Sequence, residues 1–260
     1  MFLRLIWKFI NIYRRLPYQP FRNSLHNLYL KKLRPKQFVN RAIVTKRLGI
    51  KYKLYLNEYI DNTLYYSGYW EPEVNKIIKE NIKSGMIVFD IGANIGTHTL
   101  QLAKFVGKNG KVFAVEPNLK YLERLKENVK LNNFKNVVII DKFFSDINQL
   151  KETTLDECVR LNGINQIDFI KIDTEGYEYK IIKGAKASII RFKPIMVIEF
   201  GRTNLEGRGD RIEDLIKILK DLGYSFFSER NLREYSTGEE LLKDCLSETT
   251  INVLCKIKKN

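Results

Sequence analysis

From residue 86 onward the chain alternates short apolar runs with longer segments that are apolar at every third or fourth position. The runs at 86–91, 112–115, 137–140, 167–172, 195–200, 224–227 and 250–257 have the length of strands. The segments at 97–106, 119–132, 176–190 and 211–222 carry the helical period. In the last of these, Ile212, Leu215, Ile216, Leu219 and Leu222 mark one face and Gly223 marks the stop. Strands separated by helices predict a mostly parallel sheet covered on both faces. The final run follows the sixth without a long helical stretch between them, so the last strand is expected to enter the sheet antiparallel.

Ahead of this block, RAIVTKRLGIKYKLYLN reads as a hairpin, and YSGYWEPEVNKIIKENIKSG as a helix with Pro72 near its start. Residues 17–40, with Pro17, Pro20 and Pro35, read as a connector. In MFLRLIWKFINIYRRL, Arg4, Lys8, Asn11 and Arg15 recur at helical spacing against a wide apolar face. The division expected is a basic amphipathic extension over 1–40 and one α/β domain over 41–260.

Charge sharpens that division. The formal net charge is +15, yet the first 57 residues hold fourteen Lys or Arg and no Asp or Glu, leaving 31 basic against 30 acidic residues in 58–260. A helix of this kind either lies on an anionic membrane through residues 1–16 or packs on its own domain or a second copy. Its uncharged runs are too short to span a bilayer, and no small-residue cleavage site follows them. Cys158, Cys245 and Cys255 are odd in number and lack metal-site spacing, which fits reduced thiols in the cytoplasm. The localisation expected is cytoplasmic, peripheral at the membrane.

The chemistry concentrates where the first core strand ends. MIVFDIGANIG carries Asp90, Gly92, Asn94 and Gly96 into a helical stretch, a strand, turn and helix unit suited to a small ligand at a helix N-terminus. Glu116 closes the next strand 24 residues after Gly92, where a carboxylate meets a ribose. A pyrophosphate fits poorly, because the middle glycine of G-x-G-x-x-G is absent and Asp90 would repel it. S-adenosylmethionine, with a cationic ammonium and sulfonium, suits the turn better.

GANIGTHTL, AVEPN, LERLKENVKLNN, TTLDE, IDFIKIDTEGYEYKIIKGA and PIMVIEF together resemble the FkbM family of S-adenosylmethionine-dependent methyltransferases, in order over residues 64–200. The resemblance implies a class I methyltransferase, a Rossmann-like sheet, that O-methylates, commonly sugar hydroxyls in glycans or natural products; with residues 1–16 on a membrane, the acceptor expected is a sugar of a glycan or glycolipid, lipid-linked acceptors included. It also places the acid of the WEPE-like segment, Glu71, near the cofactor. A helix-terminal acid that only favours the dipole is the other account of Glu71.

Acids collect at five strand ends: Asp90, Glu116, Asp141, Asp173 with Glu175, and Glu199. Asp141 is expected to border the adenine. Methyl transfer to a sugar alcohol needs a positioned base or a metal that lowers the hydroxyl pKa. Either Asp173 and Glu199 share Mg²⁺ or Mn²⁺ with the acceptor, or Asp173, Glu175 or His98 acts as a metal-free base. The alternatives are an RNA methyltransferase and a non-catalytic membrane-associated adapter. The near-neutral catalytic half and the lack of an N-P-P-Y type motif after strand four leave no nucleic-acid partner expected.

Overall fold

A computed structural model describes residues 42–245 and 250–257, which fall into two compact units, one ending at Pro72 and the other beginning at Glu73. The expected helix at 1–16 and the connector at 17–40 lie outside the described residues.

In the first unit, β1 (Ala42–Arg47) and β2 (Ile50–Tyr55) form an antiparallel hairpin. Leu48 and Gly49 both take positive φ at its two-residue turn, the geometry that matches strand twist. Ile50, Tyr52 and Leu54 alternate into the interior. Helix α1 (Tyr59–Ser67) adds Leu64 and Tyr66, and buried Asp61 accepts the Tyr55 amide at 2.6 Å. The helix stops at Gly68, whose φ of 86° is left-handed.

Helix α2 (Pro72–Asn81) opens on proline, where a missing N–H costs nothing, and buries Val74, Ile77 and Ile78 at helical spacing. Then come β3 (Ile87–Ile91), α3 (Thr99–Val106), β4 (Lys111–Val115), α4 (Leu119–Leu131) and β5 (Val137–Ile140). A small parallel pair, β6 (Phe143–Phe144) and β7 (Glu152–Thr153), precedes α5 (Leu155–Leu161) and β8 (Phe169–Ile172). The remainder is α6 (Glu178–Lys183), α7 (Lys186–Phe192), β9 (Ile195–Gly201), α8 (Arg202–Glu206), α9 (Ile212–Asp221), β10 (Tyr224–Ser228), α10 (Gly238–Asp244) and β11 (Thr250–Ile257).

Seven strands form the sheet in the order β5-β4-β3-β8-β9-β11-β10. Strands β5, β4, β3, β8 and β9 pair in parallel, and β11 runs antiparallel between β9 and β10. This is the mostly parallel α/β architecture with an antiparallel last strand that the apolar pattern predicts. On one face α2 and α3 cover Val88, Val112, Phe169, Val197 and Leu254. On the other, α5, α6, α7 and α9 cover Phe89, Phe113, Ile170, Met196 and Ile198.

The expected single helix over 176–190 is two helices. Gly184 separates α6 from α7, and a Cβ there would lie 2.0 Å from the Ser145 carbonyl oxygen, so the chain passes too close to that loop to continue as one cylinder. Helices α1, α5, α8 and α10 were not expected; the last three have seven residues or fewer, too short for periodicity to register.

Candidate active site at the carboxyl ends of the strands

Side chains two residues apart share a sheet face, and parallel partners in register share it too. Asp90 pairs in register with Ala114 of β4 and Lys171 of β8, and Lys171 with Val197 of β9. One pleat further on, at or just past the strand ends, the same register aligns Asp141, Glu116, Gly92, Asp173 and Glu199, and Glu199 pairs with Asn252. The strand-end acids thus share one row and one face, with Asp90 one pleat behind them.

The turn after β3 is held by this row. Gly92 and Ala93 donate their amides to the Val115 carbonyl at 3.0 and 2.9 Å. Glu116 accepts the Asn94 amide on Oε2 and the Asn118 amide on Oε1, each at 2.8 Å. Asn94 takes a φ of 50°, as the left-handed turn requires. A Cβ on Gly92 would lie 1.8 Å from the Asp173 carbonyl oxygen, so the glycine is demanded by the neighbouring strand end rather than by a ligand alone. A Cβ on Gly96 would meet Leu125 at 2.8 Å, so that glycine seats the turn on α4.

Two carboxylates keep acceptor capacity here. Asp90 is buried; its Oδ2 accepts the Thr99 hydroxyl at 2.5 Å, and its Oδ1 has no hydrogen-bond partner among the described residues. Burial raises the pKa of Glu116, the two amide bonds lower it, and the charge of Asp90 raises it again. A ligand presenting a cation and a ribose-like diol fits such a pair, and a pyrophosphate does not.

At the next strand end, Lys171 is fully buried within β8 and donates from Nζ to Asp173 Oδ2 at 2.9 Å. Glu199 is buried beside them with Oε2 unpartnered among the described residues. Burial first, then the charges of Asp173, Glu178 and Glu175, push its carboxyl up to about 9. The loop between β8 and α6 wraps around Glu178, which is buried and accepts the Thr174 amide and hydroxyl at 2.8 and 2.9 Å. Glu175, at a φ of 56°, is exposed and accepts from Asn204 Nδ2 at 2.7 Å.

The remaining expected residues spread out. Asp141 is exposed at the end of β5. His98 is buried at the N-terminus of α3. Glu71 lies in the first unit, half-buried at a φ of 45° directly before Pro72.

Asp173 and Glu199, the pair expected to share Mg²⁺ or Mn²⁺, stand at the ends of neighbouring strands. Among the described residues no group of three or more His, Cys, Asp or Glu is arranged to hold a metal ion. Asp173 is met by the Lys171 ammonium.

Lys171 and Glu178 were missed as site residues. A lone lysine inside the run IDFIKI was the available signal, because a charged side chain in a central strand needs a buried partner.

Two methyltransferase domain families match this chain: the methyltransferase FkbM domain over residues 140–226 and the TRM5/TYW2 methyltransferase domain over residues 43–174. The chain is 26% identical over 139 residues to the hexuronic acid methyltransferase AglP of Haloferax volcanii, covering 44% of this chain and 56% of that protein. It is 35% identical over 71 residues to a probable cobalt-precorrin-6B C(15)-methyltransferase (decarboxylating) of Sulfurisphaera tokodaii, covering 27% of this chain and 37% of the relative. The chain therefore spans about half and about a third of the lengths of these curated relatives. Among solved structures, the methyltransferase FkbM from Methylobacillus flagellatus is 19% identical with a TM-score of 0.46, over 66% of this chain and 43% of that one. The M. jannaschii TYW2 in complex with AdoMet is 20% identical with a TM-score of 0.47, over 82% and 84%. The chain belongs to the S-adenosylmethionine-dependent methyltransferases, as a member of the TRM5/TYW2 methyltransferase domain family that also carries the methyltransferase FkbM domain.

Proposed function

We propose that this methyltransferase transfers a methyl group to a hydroxyl oxygen of a sugar in a glycan or glycolipid. The observation that carries the reading is the strand-end row, in which a carboxylate held from one side, Asp173, stands beside a buried, proton-retaining one, Glu199. The likeness to a hexuronic acid methyltransferase supports a sugar acceptor.

S-adenosylmethionine, when bound, supplies a methyl group on a positively charged sulfonium. Asp90, with its open Oδ1, and the turn of Gly92, Asn94 and Gly96 are assigned to its amino-acid end, and Glu116 to its ribose. Asp141 is assigned to the adenine side. Asp173 accepts the proton of the acceptor hydroxyl, and Glu199, carrying its own proton, donates a hydrogen bond to acceptor oxygens. Glu175 and Asn204 border the acceptor, and His98 stands as the base that remains if Asp173 is not it.

A second reading, methylation of RNA, is favoured by the TRM5/TYW2 domain match and by the basic first 57 residues. The expectation of no nucleic-acid partner is therefore dropped. Incubation of the purified chain with methyl-labelled S-adenosylmethionine, glycan and lipid-linked acceptors, and RNA separates the two. Label in a nuclease-resistant glycan is expected; label in nuclease-sensitive material sinks the sugar reading.

No helix among the described residues is long and apolar enough to cross a membrane. Residues 1–16 are proposed to dock the enzyme on an anionic bilayer, which would bring it to a lipid-linked acceptor.

A further inference from the structure

We propose that Lys171 is a positioning residue for methyl transfer, clamping Asp173 by one oxygen so that the other faces the acceptor hydroxyl. The inference rests on the proposed role of Asp173 as the base. Lys171 is 2% exposed within a central strand, and a lysine is rarely so buried without a partner. Its Nζ reaches Asp173 Oδ2 at 2.9 Å, whereas no hydrogen bond engages Asp173 Oδ1 among the described residues. The Asp173 side chain keeps 21% of its surface exposed, so the pair runs from the sheet interior to the open end of the strand. The backbone adds to the constraint: the Asp173 amide donates to the Ile91 carbonyl at 3.0 Å, and its carbonyl oxygen lies against Gly92. With the main chain fixed and one oxygen clamped, little freedom remains in the direction of the second oxygen. A base must meet its proton in a narrow geometry, so orientation of this kind acts on turnover more than on binding.

In the reaction the acceptor oxygen bonds the methyl carbon, the carbon–sulfur electron pair returns to sulfur, and the acceptor proton passes to Asp173 Oδ1. Lys171 exchanges no proton and touches neither substrate.

The test compares Lys171→Met, Asp173→Asn and the double variant with the wild type, on whichever acceptor the wild type methylates. Calorimetry with S-adenosylmethionine and thermal melting accompany the rate measurements. Each single variant is expected to lose about 10²-fold in kcat, with cofactor affinity and acceptor KM within about three-fold of wild type. The double variant is expected to be no slower than Asp173→Asn alone, because Lys171 acts only through Asp173. It also removes both charges of the pair, so it keeps the comparison available if Lys171→Met fails to fold.

A Lys171→Met enzyme with full turnover overturns the inference. So does a loss that tracks weakened cofactor binding, or a double variant at least about ten-fold slower than Asp173→Asn. If the wild type labels RNA with this variant pattern, the role of Lys171 stands and the sugar acceptor falls. A wild type that binds cofactor and methylates neither acceptor overturns both.

Discussion

At the residue scale the candidate site is a set of carboxylates whose surroundings differ. Glu116 spends one lone pair of each oxygen on the turn amides of Asn94 and Asn118, and the remaining ones are available to a ribose. Glu116→Gln keeps the shape but turns one acceptor into a donor. It is expected to weaken S-adenosylmethionine binding by about 1.5–3 kcal/mol, the range for hydrogen bonds to charged groups. Unchanged affinity by calorimetry in a folded variant would remove Glu116 from the cofactor site.

Glu199 supplies a pH test. Its folded-state pKa is raised from 4.5 to about 9, chiefly by burial, so between those values the folded chain binds the extra proton. Its contribution is then fully present below the unfolded pKa and is lost as pH rises through the folded one. Glu199→Gln is expected to melt above the wild type at pH values near 9, with the difference closing towards 4.5. Parallel melting curves across that window would contradict the assignment. The acids themselves were legible in the sequence, since each ends an apolar run. Lys171 and Glu178 were not, because burial of a charged side chain is decided by partners that only the folded loop brings near, such as the Thr174 amide and hydroxyl on Glu178.

At the scale of elements, the seven sheet strands were legible because each is an apolar run of four to eight residues bounded by polar or turn residues. The break at Gly184 was not, since helical apolar spacing continues through it and only the tertiary contact with Ser145 excludes a straight helix. The same kind of contact governs the cofactor turn. Gly92→Ala would place a methyl group 1.8 Å from the Asp173 carbonyl oxygen at a φ of 85°, so β3 and β8 must separate at their ends. The variant is expected to lose roughly 3 kcal/mol of stability or more, and its Tm to fall by roughly 6–12 °C. Cofactor affinity should fall as well, because Asp90 and the turn move together. A variant with unaltered melting and binding would show that the strand ends are looser than this packing requires.

At the scale of the whole molecule, charge is segregated: fourteen basic residues and no acid in the first 57, and near neutrality in the rest. Each basic residue near an anionic surface contributes about 1 kcal/mol, and Arg4, Lys8, Arg14 and Arg15 with apolar burial are proposed to give reversible docking. Full-length protein is expected to sediment with anionic liposomes at low salt, and a chain lacking residues 1–16 is expected to stay in solution with activity on a soluble acceptor intact. Full-length protein that ignores such liposomes would make this segment a packing element or a contact between copies instead.

The central claim is that the strand-end row moves a methyl group onto a sugar hydroxyl, and the product's linkage tests it most directly. Labelled product from the wild type should be hydrolysed in mild alkali and then in acid, with the label located by mass spectrometry. The result expected is a methyl ether on a sugar carbon, stable to alkali and formed about 10²-fold more slowly by Asp173→Asn. Label released by alkali as a carboxyl ester, carried on a nucleoside, or undiminished in Asp173→Asn would contradict it.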